Sequence, residues 1–452
     1  AQAGFAGGEC FGAPNDAPAT SICAGAGHFP ITTGYHLALA SRCQILVMTH
    51  DNAAGPTSLE AAARPAIRAL GASRIREVAN AAIGTAGVLP FWFGEPDSVT
   101  PEFIRAAAKA ALDDGDTFYH HNLGLPALRD ELAAYQTRLH GSAIDARRVV
   151  VTSSGVNGLM LAAQTLLDPG TRVVAVVPLW PNLTAIPQIL GARVDRVALE
   201  LSRDGRWSLD LDRLLAVIGD DARAVIVNSP NNPTGWTMPT EQIAALRAHC
   251  RRHGIWVIAD EAYERLVFDG SPRAPSWLDV ADEHERLIVA NTFSKAWQMT
   301  GWRLGWLTVP PALVDDLAKL VEFNTSCAPG FVQRAAVAAL RDGEPAVQAF
   351  VAELGRRRDV LLAALAGIDG IDVGRPDGAM YAFLRVRGER DSLALAKALV
   401  REARIGLAPG VAFGPEGEGF LRWCFARPVE QLNEAAQRLQ RFLSERRRPG
   451  ST

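Results

Sequence analysis

Short apolar runs alternate with longer amphipathic stretches through the middle of the chain. The apolar runs are rich in Val, Ile and Ala and lie at 149–152, 173–177, 224–228, 256–259 and 287–290. The stretches between them, such as 156–167 and 241–253, have apolar positions at helical spacing and end near Gly170 and Gly254. Continuous apolar strands that alternate with helices predict a mostly parallel sheet covered on both faces, which is an α/β fold.

The pattern changes on both sides of this region. Before it, Thr100 as a cap and Pro101 as the first helical residue predict a helix over 102–112, and a second helix follows over 125–139. Beyond Pro310 we expect helices at 312–323, 333–340, 346–365, 392–403 and 431–446, with strands near 379–386 and 420–425. This succession of helices with few strands is typical of a second, smaller α+β domain.

These changes set the expected domain boundaries. Residues 1–72 are rich in Ala and Gly and lack a sustained period, so we expect an extension that is poorly ordered or of uncertain role. Residues 73–117 would form the N-terminal part of the small domain, 118–330 the large domain and 331–447 the C-terminal part of the small domain.

Composition excludes several classes of protein. With 452 residues, 48% of them apolar, and a net charge of -3, the chain resembles a large globular enzyme and offers no basic field for nucleic acid. The six cysteines show no CxxC pair and no spacing of a zinc or other metal site, which favours free thiols in a reducing compartment. Without an apolar stretch of membrane length or a charged leader, we expect a cytoplasmic protein.

Polar residues follow each predicted strand at its carboxyl end, where ligands of parallel sheets bind. Among them, Lys295 differs from the other three lysines, 109, 319 and 397, which lie in amphipathic helices. Lys295 follows an apolar strand, and desolvation there could lower its pKa and make it a Schiff-base nucleophile. A strand-end lysine that reaches water is the alternative.

A second group of residues suits a phosphate. Arg303 stands between Gly301 and Gly305 and could bind a phosphate in bidentate fashion. Thr292 and Ser294 add hydroxyl donors, and the helix that begins after Ser154 offers free N–H groups to an anion. Together these residues predict a phosphate cup beside a reactive lysine.

At this point the sequence resembles a known family. It is similar to the fold-type I pyridoxal 5'-phosphate (PLP) enzymes of the class I/II, aspartate aminotransferase-like family, from about residue 75 to 445. The matching stretches occur in the family's order: Gly94-Glu95-Pro96-Asp97, Tyr119, Gly124-Leu125-Pro126, Leu128-Arg129, Asn228 to Gly235, Asp260 to Tyr263, Ser294-Lys295, Gly301 to Gly305, and Arg422. The fold implied is a large doubly wound domain with a smaller α+β domain.

The resemblance implies a role for each residue of the catalytic centre. Lys295 would hold PLP as an aldimine and then move the substrate proton. Asp260 would pair with the pyridine nitrogen, although an Asp at a strand end is often a cap. Tyr263 and Asn232 would bind the phenolic oxygen, and Trp180 would stack on the ring. Taken singly, Asn232 is a turn residue and Trp180 a core aromatic.

The resemblance also implies the binding residues. The phosphate cup would comprise Ser154, Gly155, Val156, Thr292, Ser294 and Arg303, with Tyr119 reaching in from a neighbouring subunit, so that the site requires a homodimer. Arg422 would bind the α-carboxylate, with Gly94 donating a backbone N–H, and Trp180 and Asn232 would also face the substrate. The alternative for Arg422, a surface arginine on a strand, is weakened by its apolar neighbours.

Substrate specificity is less well defined. Val156 stands where some aspartate-specific relatives have a polar or basic residue, and 322–328 contains no arginine for a second carboxylate, so an acidic side chain is disfavoured unless another arginine supplies the contact. Four apolar residues could line a substrate pocket or pack in the core with equal odds, namely Trp92, Phe93, Leu179 and Trp297.

The leading hypothesis is a PLP-dependent aminotransferase that moves an amino group between an α-amino acid and a 2-oxo acid by a ping-pong mechanism. The alternative is a PLP-dependent β-eliminating lyase of the carbon–sulfur type, because the fate of the carbanion depends on geometry that a sequence does not display. A regulatory module on the same fold is disfavoured because residues 1–70 lack a basic helical pattern.

Overall fold

The computed structural model describes residues 63–446 of the chain. Its strands are β1 (Leu89–Pro90), β2 (Val149–Thr152), β3 (Arg172–Val177), β4 (Arg193–Ala198), β5 (Glu200–Leu201), β6 (Trp207–Ser208), β7 (Ala224–Asn228), β8 (Trp256–Asp260), β9 (Leu287–Thr292), β10 (Gly305–Thr308), β11 (Ile371–Val373), β12 (Tyr381–Val386), β13 (Ile405–Gly406), β14 (Ala408–Pro409) and β15 (Phe420–Cys424).

Helices surround these strands. They are α1 (Pro65–Arg68), α2 (Arg74–Ala81), α3 (Glu102–Asp113), α4 (Pro126–His140), α5 (Gly155–Leu166), α6 (Pro181–Ile189), α7 (Leu211–Ile218), α8 (Thr240–His253), α9 (Val314–Thr325), α10 (Gly330–Asp342), α11 (Glu344–Ala366), α12 (Ser392–Ala398) and α13 (Val429–Arg446). A π-helical turn, Leu399–Ala403, continues α12, so the helix expected over 392–403 changes its hydrogen bonding at residue 399.

The main sheet has seven strands in the order β2-β10-β9-β8-β7-β3-β4. Pairings from β9 through β4 are parallel, whereas β10 is antiparallel to both of its neighbours. Side chains along β3 alternate between two apolar layers, with Val174 and Val176 on one face and Val173 and Ala175 on the other. Both faces are therefore covered, and the α/β prediction is confirmed.

Two strands of this sheet were missed by the sequence pattern. Strand β4 lies at the edge and carries Arg193, Asp195 and Arg196, so it lacks the continuous apolar run of a central strand. Strand β10 is only four residues long and follows the glycine-flanked arginine segment, which has the composition of a loop. The five strands that the pattern predicted are all present, with ends within two residues of those expected.

A smaller antiparallel sheet comes from the C-terminal part of the chain. Its order is β11-β12-β15-β14, and Phe383 on β12 lies opposite Arg422 on β15. Two-stranded pairs β1-β13 and β5-β6 complete the strands of the described residues. Strand β1 joins β13 with Leu89 opposite Ile405, which ties the segment before the first long helix to the C-terminal part of the chain.

The cap of one helix was predicted wrongly. Helix α3 begins at Glu102, with Pro101 outside it, and Thr100 does not cap it. Instead the Thr100 hydroxyl donates to the backbone oxygen of Gln298 at 2.6 Å and accepts from the Trp302 indole N–H at 3.0 Å. The local pattern had assigned this hydroxyl to the helix cap, but it forms hydrogen bonds with a distant loop instead.

Some sequence predictions lie wholly or partly outside residues 63–446. They include most of the extension over 1–72 and three of the cysteines. Within the described range, Cys250, Cys327 and Cys424 are free thiols. None of the helices between residues 63 and 446 is long and apolar enough to cross a bilayer.

A buried ionic cluster lies behind the turn that follows β8. The imidazole of His140, at the end of α4, is fully buried, with Nδ1 at 3.0 Å from Asp279 Oδ1 and Nε2 at 3.1 Å from Glu264 Oε1. Arg273 adds a second cation on Asp279 at 2.7 Å. Burial alone would lower the pKa of His140, but its hydrogen bond to Asp279 and its contact with Glu264 raise that pKa to about 9. A charged histidine therefore bridges two carboxylates.

We expect this bridge to make stability depend on pH. The folded-state pKa of His140 exceeds its unfolded value of about 6.5, so its contribution is complete below pH 6.5 and is lost as pH rises through about 9. Burial also raises the pKa of Glu261, which acts in the same direction. The His140→Gln variant should lose about 2–3 kcal/mol of unfolding free energy at pH 6 and much less at pH 10.

Urea unfolding of the cofactor-free protein between pH 6 and 10 measures this dependence. The matched control is His284→Gln, because that imidazole is 74% exposed and should leave the profile unchanged. Equal losses for His140→Gln at pH 6 and pH 10 would show that the imidazole contributes packing and not charge.

Candidate active site

A cavity of about 260 Å³ opens at the carboxyl ends of β7, β8 and β9. Register places Asn228 opposite Asp260 and Asp260 opposite Ala290, so the ends of these strands deliver side chains to one place. Most of the predicted site residues line the cavity: Gly94, Gly155, Val156, Trp180, Asn232, Asp260, Tyr263, Thr292, Ser294, Lys295, Arg303 and Arg422. Ser154 lies next to it, and Tyr119 lies elsewhere.

Lys295 extends into the cavity from the loop after β9. Its ammonium donates to the backbone oxygen of Gly94 at 2.7 Å and lies 5.6 Å from the centre of the Tyr263 ring. Burial lowers the pKa of Lys295 to about 8, and the positive charges of Arg422 and Arg303 act in the same direction. The amine is therefore closer to its neutral, nucleophilic form than a surface lysine is.

Asp260 ends β8 and is buried, with 4% of its surface exposed. Its carboxylate accepts a hydrogen bond from the Ala262 backbone N–H at 3.1 Å, and no cation of the described residues forms an ion pair with it. Burial raises the pKa of Asp260 to about 6. A buried carboxylate without a cation is the partner that a positively charged group in the cavity would need.

Tyr263 and Tyr381 form a buried pair at the cavity wall. Their hydroxyl oxygens are 2.7 Å apart, and their rings meet edge to face with centres 5.6 Å apart. Tyr381 was missed because it begins a strand whose first four residues are all buried, where an aromatic residue is usually part of the core. Asn228, which also lines the cavity, was among the polar residues that follow the strands, and no role had been assigned to it.

The part of the cavity lining at the start of α5 suits an anion. Helix α5 begins at Gly155, so its free backbone N–H groups face this end, and the Ser154 hydroxyl caps it by accepting from Asn157 N–H at 3.1 Å. Thr292 and Ser294 share a hydrogen bond at 2.9 Å. A Cβ at Gly305 would lie 2.5 Å from the backbone nitrogen of Gly155, so only glycine lets β10 approach the helix start.

Arg303 completes this end of the cavity. Its backbone is left-handed, with φ of 54°, and its guanidinium donates to the backbone oxygen of Thr300 at 2.6 Å. Burial lowers the pKa of Arg303, but no carboxylate of the described residues pairs with it. Its remaining N–H groups are available to an anion.

Arg422 reaches the cavity from the smaller sheet. One terminal nitrogen donates to Asn232 Oδ1 at 2.9 Å, and the other donates to the backbone oxygen of Trp92. Its Nε is buried without a partner among the described residues. The guanidinium carbon lies 4.3 Å from the centre of the Tyr381 ring. A buried guanidinium with neutral partners and an unused donor suits a carboxylate.

Tyr119 is not part of this cavity. Tyr119 is 86% exposed, and its neighbour Phe118 is 80% exposed. The expected role of Tyr119 required a second subunit, and within one chain Tyr119 does not line the cavity. Of the four apolar candidates, Trp92 and Phe93 line the cavity, whereas Leu179 and Trp297 belong to the core.

Known proteins are similar to this chain in sequence. The sequence profile described as aminotransferase class I and II matches residues 87–439. An aspartate aminotransferase of Pyrococcus horikoshii is 33% identical over 374 residues, covering 82% of this chain and 94% of that protein. An arginine–pyruvate transaminase of Pseudomonas aeruginosa is 35% identical over 348 residues, covering 76% of this chain and 87% of that protein.

Solved structures are also similar. An aspartate aminotransferase of Thermus thermophilus, solved with maleate, superposes with a TM-score of 0.76 at 30% identity, covering 84% of this chain and 99% of that one. An aromatic aminotransferase of Pyrococcus horikoshii gives a TM-score of 0.75 at 32% identity, covering 82% of this chain and 99% of that one.

Close packing at Gly94 leads to a prediction. A Cβ at this position would lie 1.9 Å from the Tyr381 hydroxyl oxygen and 2.9 Å from the adjoining ring carbon. Gly94→Ala should therefore lower the unfolding free energy by about 1–3 kcal/mol, the usual cost of overpacking. Gly367→Ala is the control, because a Cβ there meets no atom within 4 Å, and it should change stability by less than about 0.5 kcal/mol. Urea unfolding measures both, and equal stabilities would contradict the packing.

Proposed function

The chain belongs to the family of class I and II aminotransferases, and from that premise we propose how its own residues perform the reaction. The prediction of an enzyme that moves an amino group between an α-amino acid and a 2-oxo acid is confirmed, as is the PLP fold type I. The alternative of a β-eliminating lyase is not supported. The proposal rests above all on Lys295, a buried amine of lowered pKa in the same cavity as Asp260.

Residues of the cavity suit the polar groups of PLP, the cofactor of this family. Tyr263 and Asn232 would bind its phenolic oxygen. The start of α5 and the guanidinium of Arg303 would hold the phosphate. Asp260 has no cation of its own in the described structure, so it would hold the protonated ring nitrogen. Lys295 would form the covalent link to the cofactor aldehyde, and Trp180 would stack on the ring.

When bound, PLP supplies an electron-accepting ring that stabilises negative charge at the substrate Cα. Lys295 Nζ would take the proton from that Cα and deliver it to the cofactor's C4', and its pKa of about 8 leaves about one tenth of the amine unprotonated at pH 7. Asp260 would keep the ring nitrogen protonated, since with a pKa of about 6 its carboxylate is largely ionised at neutral pH.

The substrate α-carboxylate would bind Arg422. Because Asn232 accepts from Arg422 through Oδ1, its amide hydrogens remain free to donate into the cavity. The backbone N–H of Gly94, which makes no hydrogen bond within the described residues, would add a donor. Binding would thus replace water around a buried guanidinium with a charged partner.

The substrate side chain would lie against an apolar wall. Ile75, Trp92 and Phe93 line this part of the cavity, and the cations that line it are Lys295, Arg303 and Arg422, all with roles already proposed. We therefore expect apolar or aromatic side chains to be preferred over acidic ones. Relatives named for aspartate, aromatic and arginine substrates show that the family name does not determine this choice.

A homodimer would complete the site. Phe118 and Tyr119 are adjacent in the chain and exposed, and the apolar side chains of Val99 and Phe323 are exposed as well. Exposed aromatic and aliphatic residues of this size are typical of an interface. We propose that this surface meets a second copy and that Tyr119 reaches the phosphate end of the partner's cavity.

The division into domains and the cellular location are also proposals. The seven-stranded sheet takes its strands from residues 149–308 and the four-stranded sheet from 371–424, which supports a large domain over 118–330 and a small domain built from 73–117 and 331–447. Free thiols at Cys250, Cys327 and Cys424 support a reducing compartment such as the cytoplasm.

The central experiment is the visible spectrum of the holoenzyme during a half-reaction. Addition of an amino acid without a 2-oxo acid should replace the cofactor's visible band with that of its aminated form, and the Lys295→Ala variant should lose both the original band and the conversion. Lys397→Ala, a lysine paired with Glu77 outside the cavity, is the control. Borohydride reduction should label Lys295 in the wild type. A normal band and turnover in Lys295→Ala, or accumulation of pyruvate and ammonia, would contradict the proposal.

The carboxylate site makes a separate prediction. Arg422→Ala should raise the KM for the amino acid about 10- to 100-fold, because a charged hydrogen bond contributes about 1.5–3 kcal/mol. Arg385→Ala is the matched control, since Arg385 lies on the adjacent strand, outside the cavity, over the ring of Phe420. Steady-state kinetics with saturating 2-oxo acid measures the KM of both variants. An unchanged KM in Arg422→Ala would show that the carboxylate binds elsewhere.

A further inference from the structure

The hydroxyl groups of Tyr263 and Tyr381 share a single hydrogen bond deep in the cavity wall. Tyr263 is 5% exposed and Tyr381 is 1% exposed, and both line the cavity. Among the described residues, the hydrogen bond of 2.7 Å between them is the only one that either hydroxyl makes. Burial raises the pKa of both phenols, so both are neutral at physiological pH.

Two neutral phenols carry two hydrogens, and one of them lies in the shared bond. The other hydrogen belongs to the tyrosine that accepts, and it takes no part in the shared bond. If Tyr381 donates, the hydrogen of Tyr263 is free to point at a cavity ligand. If Tyr263 donates, the hydrogen of Tyr381 is left beside Gly94, where a Cβ would lie only 1.9 Å from its oxygen. A ligand oxygen next to Tyr263 therefore selects the first arrangement, because only that one uses both hydrogens.

The ring of Tyr381 makes a second contact. It lies beneath the guanidinium of Arg422, 4.3 Å from the ring centre to the guanidinium carbon. Tyr381 belongs to β12 of the smaller sheet, and Arg422 belongs to the neighbouring strand β15, whereas Tyr263 follows β8 of the large sheet. One side chain thus contacts both the residue proposed to bind the cofactor and the residue proposed to bind the substrate carboxylate.

We propose that Tyr381 is a positioning residue whose hydroxyl donates to Tyr263, directing the Tyr263 hydrogen to the cofactor's phenolic oxygen, and whose ring supports Arg422. The proposal rests on the function proposed above, in which Tyr263 binds that oxygen. A phenol that accepts a hydrogen bond is a stronger donor, since hydrogen bonds in a chain polarise one another. Stronger donation draws electrons from the phenolic oxygen and lowers the pH at which the covalent linkage to Lys295 loses its proton.

The hydroxyl is tested by a double-mutant cycle on the holoenzyme. The quantity measured is the pH midpoint of the change in the cofactor's visible band, for wild type, Tyr263→Phe, Tyr381→Phe and the double variant. Tyr381→Phe should raise the midpoint by about 0.3–1 pH unit, the size expected for one hydrogen bond. In the Tyr263→Phe background the same change should have no effect, because Tyr381 acts through Tyr263.

The control for loss of a buried phenol hydroxyl is Tyr135→Phe. Tyr135 is as buried as Tyr263 but accepts from Arg265 at 2.8 Å, outside the cavity, and should leave the midpoint unchanged. An unchanged midpoint in Tyr381→Phe, or an equal shift in both backgrounds, would overturn the inference. If Tyr263→Phe itself leaves the midpoint unchanged, it is the proposed role of Tyr263 that fails, and the two failures are distinguishable.

The ring is tested separately through the carboxylate site. The probe is 4-methylpentanoate, a carboxylate without an amino group, as a competitive inhibitor. Tyr381→Phe keeps the ring and should leave the inhibition constant within about twofold, whereas Tyr381→Leu should raise it about fivefold or more, as expected for the loss of a desolvated cation–π contact. Weakening of the same size in both variants would assign the effect to the hydroxyl and overturn the role of the ring.

Discussion

The amine of Lys295 extends into the cavity, and burial lowers its pKa to about 8. Two further cations, Arg303 and Arg422, share this cavity, so each positive charge raises the cost of the others. Other groups around the cavity offset this concentration of positive charge. A carboxylate at Asp260, a helix start at Gly155 and carbonyl partners for the two guanidinium groups line the same cavity as these three cations.

The position of these groups follows from the sheet. Parallel strands end on the same side, so β7, β8 and β9 deliver Asn228, Asp260 and the segment leading to Lys295 to one edge. The antiparallel strand β10 then returns the chain past the start of α5, where Gly305 allows backbone contact. Arg303 precedes that strand, which explains why an arginine distant in sequence from Ser154 reaches the same end of the cavity.

The turn after β8 follows Asp260 and includes Tyr263, and buried charged side chains pack against it. Glu264, four residues after Asp260, contacts the buried imidazole of His140, and Glu261 accepts hydrogen bonds from Ser276 and the Trp277 backbone. Buried carboxylates are costly when unpaired, and here a histidine, an arginine and backbone donors compensate them. The same turn meets the smaller sheet through the Tyr263 and Tyr381 hydroxyls, so the parts that would bind cofactor and substrate carboxylate touch directly.

The sequence by itself determined the parallel sheet, because buried central strands have continuous apolar runs, and it indicated the polar lining residues that follow those strands. The family resemblance supplied Gly94 and Arg422, which follow none of them. The sequence did not reveal β4, whose edge position permits charged residues, or the role of Thr100, whose hydroxyl serves a loop nearly two hundred residues away. Only the tertiary structure decided that Tyr381 belongs to the site. Among four consecutive buried residues of a strand an aromatic side chain resembles core, and the partner that distinguishes this one, Tyr263, follows a strand of the other sheet.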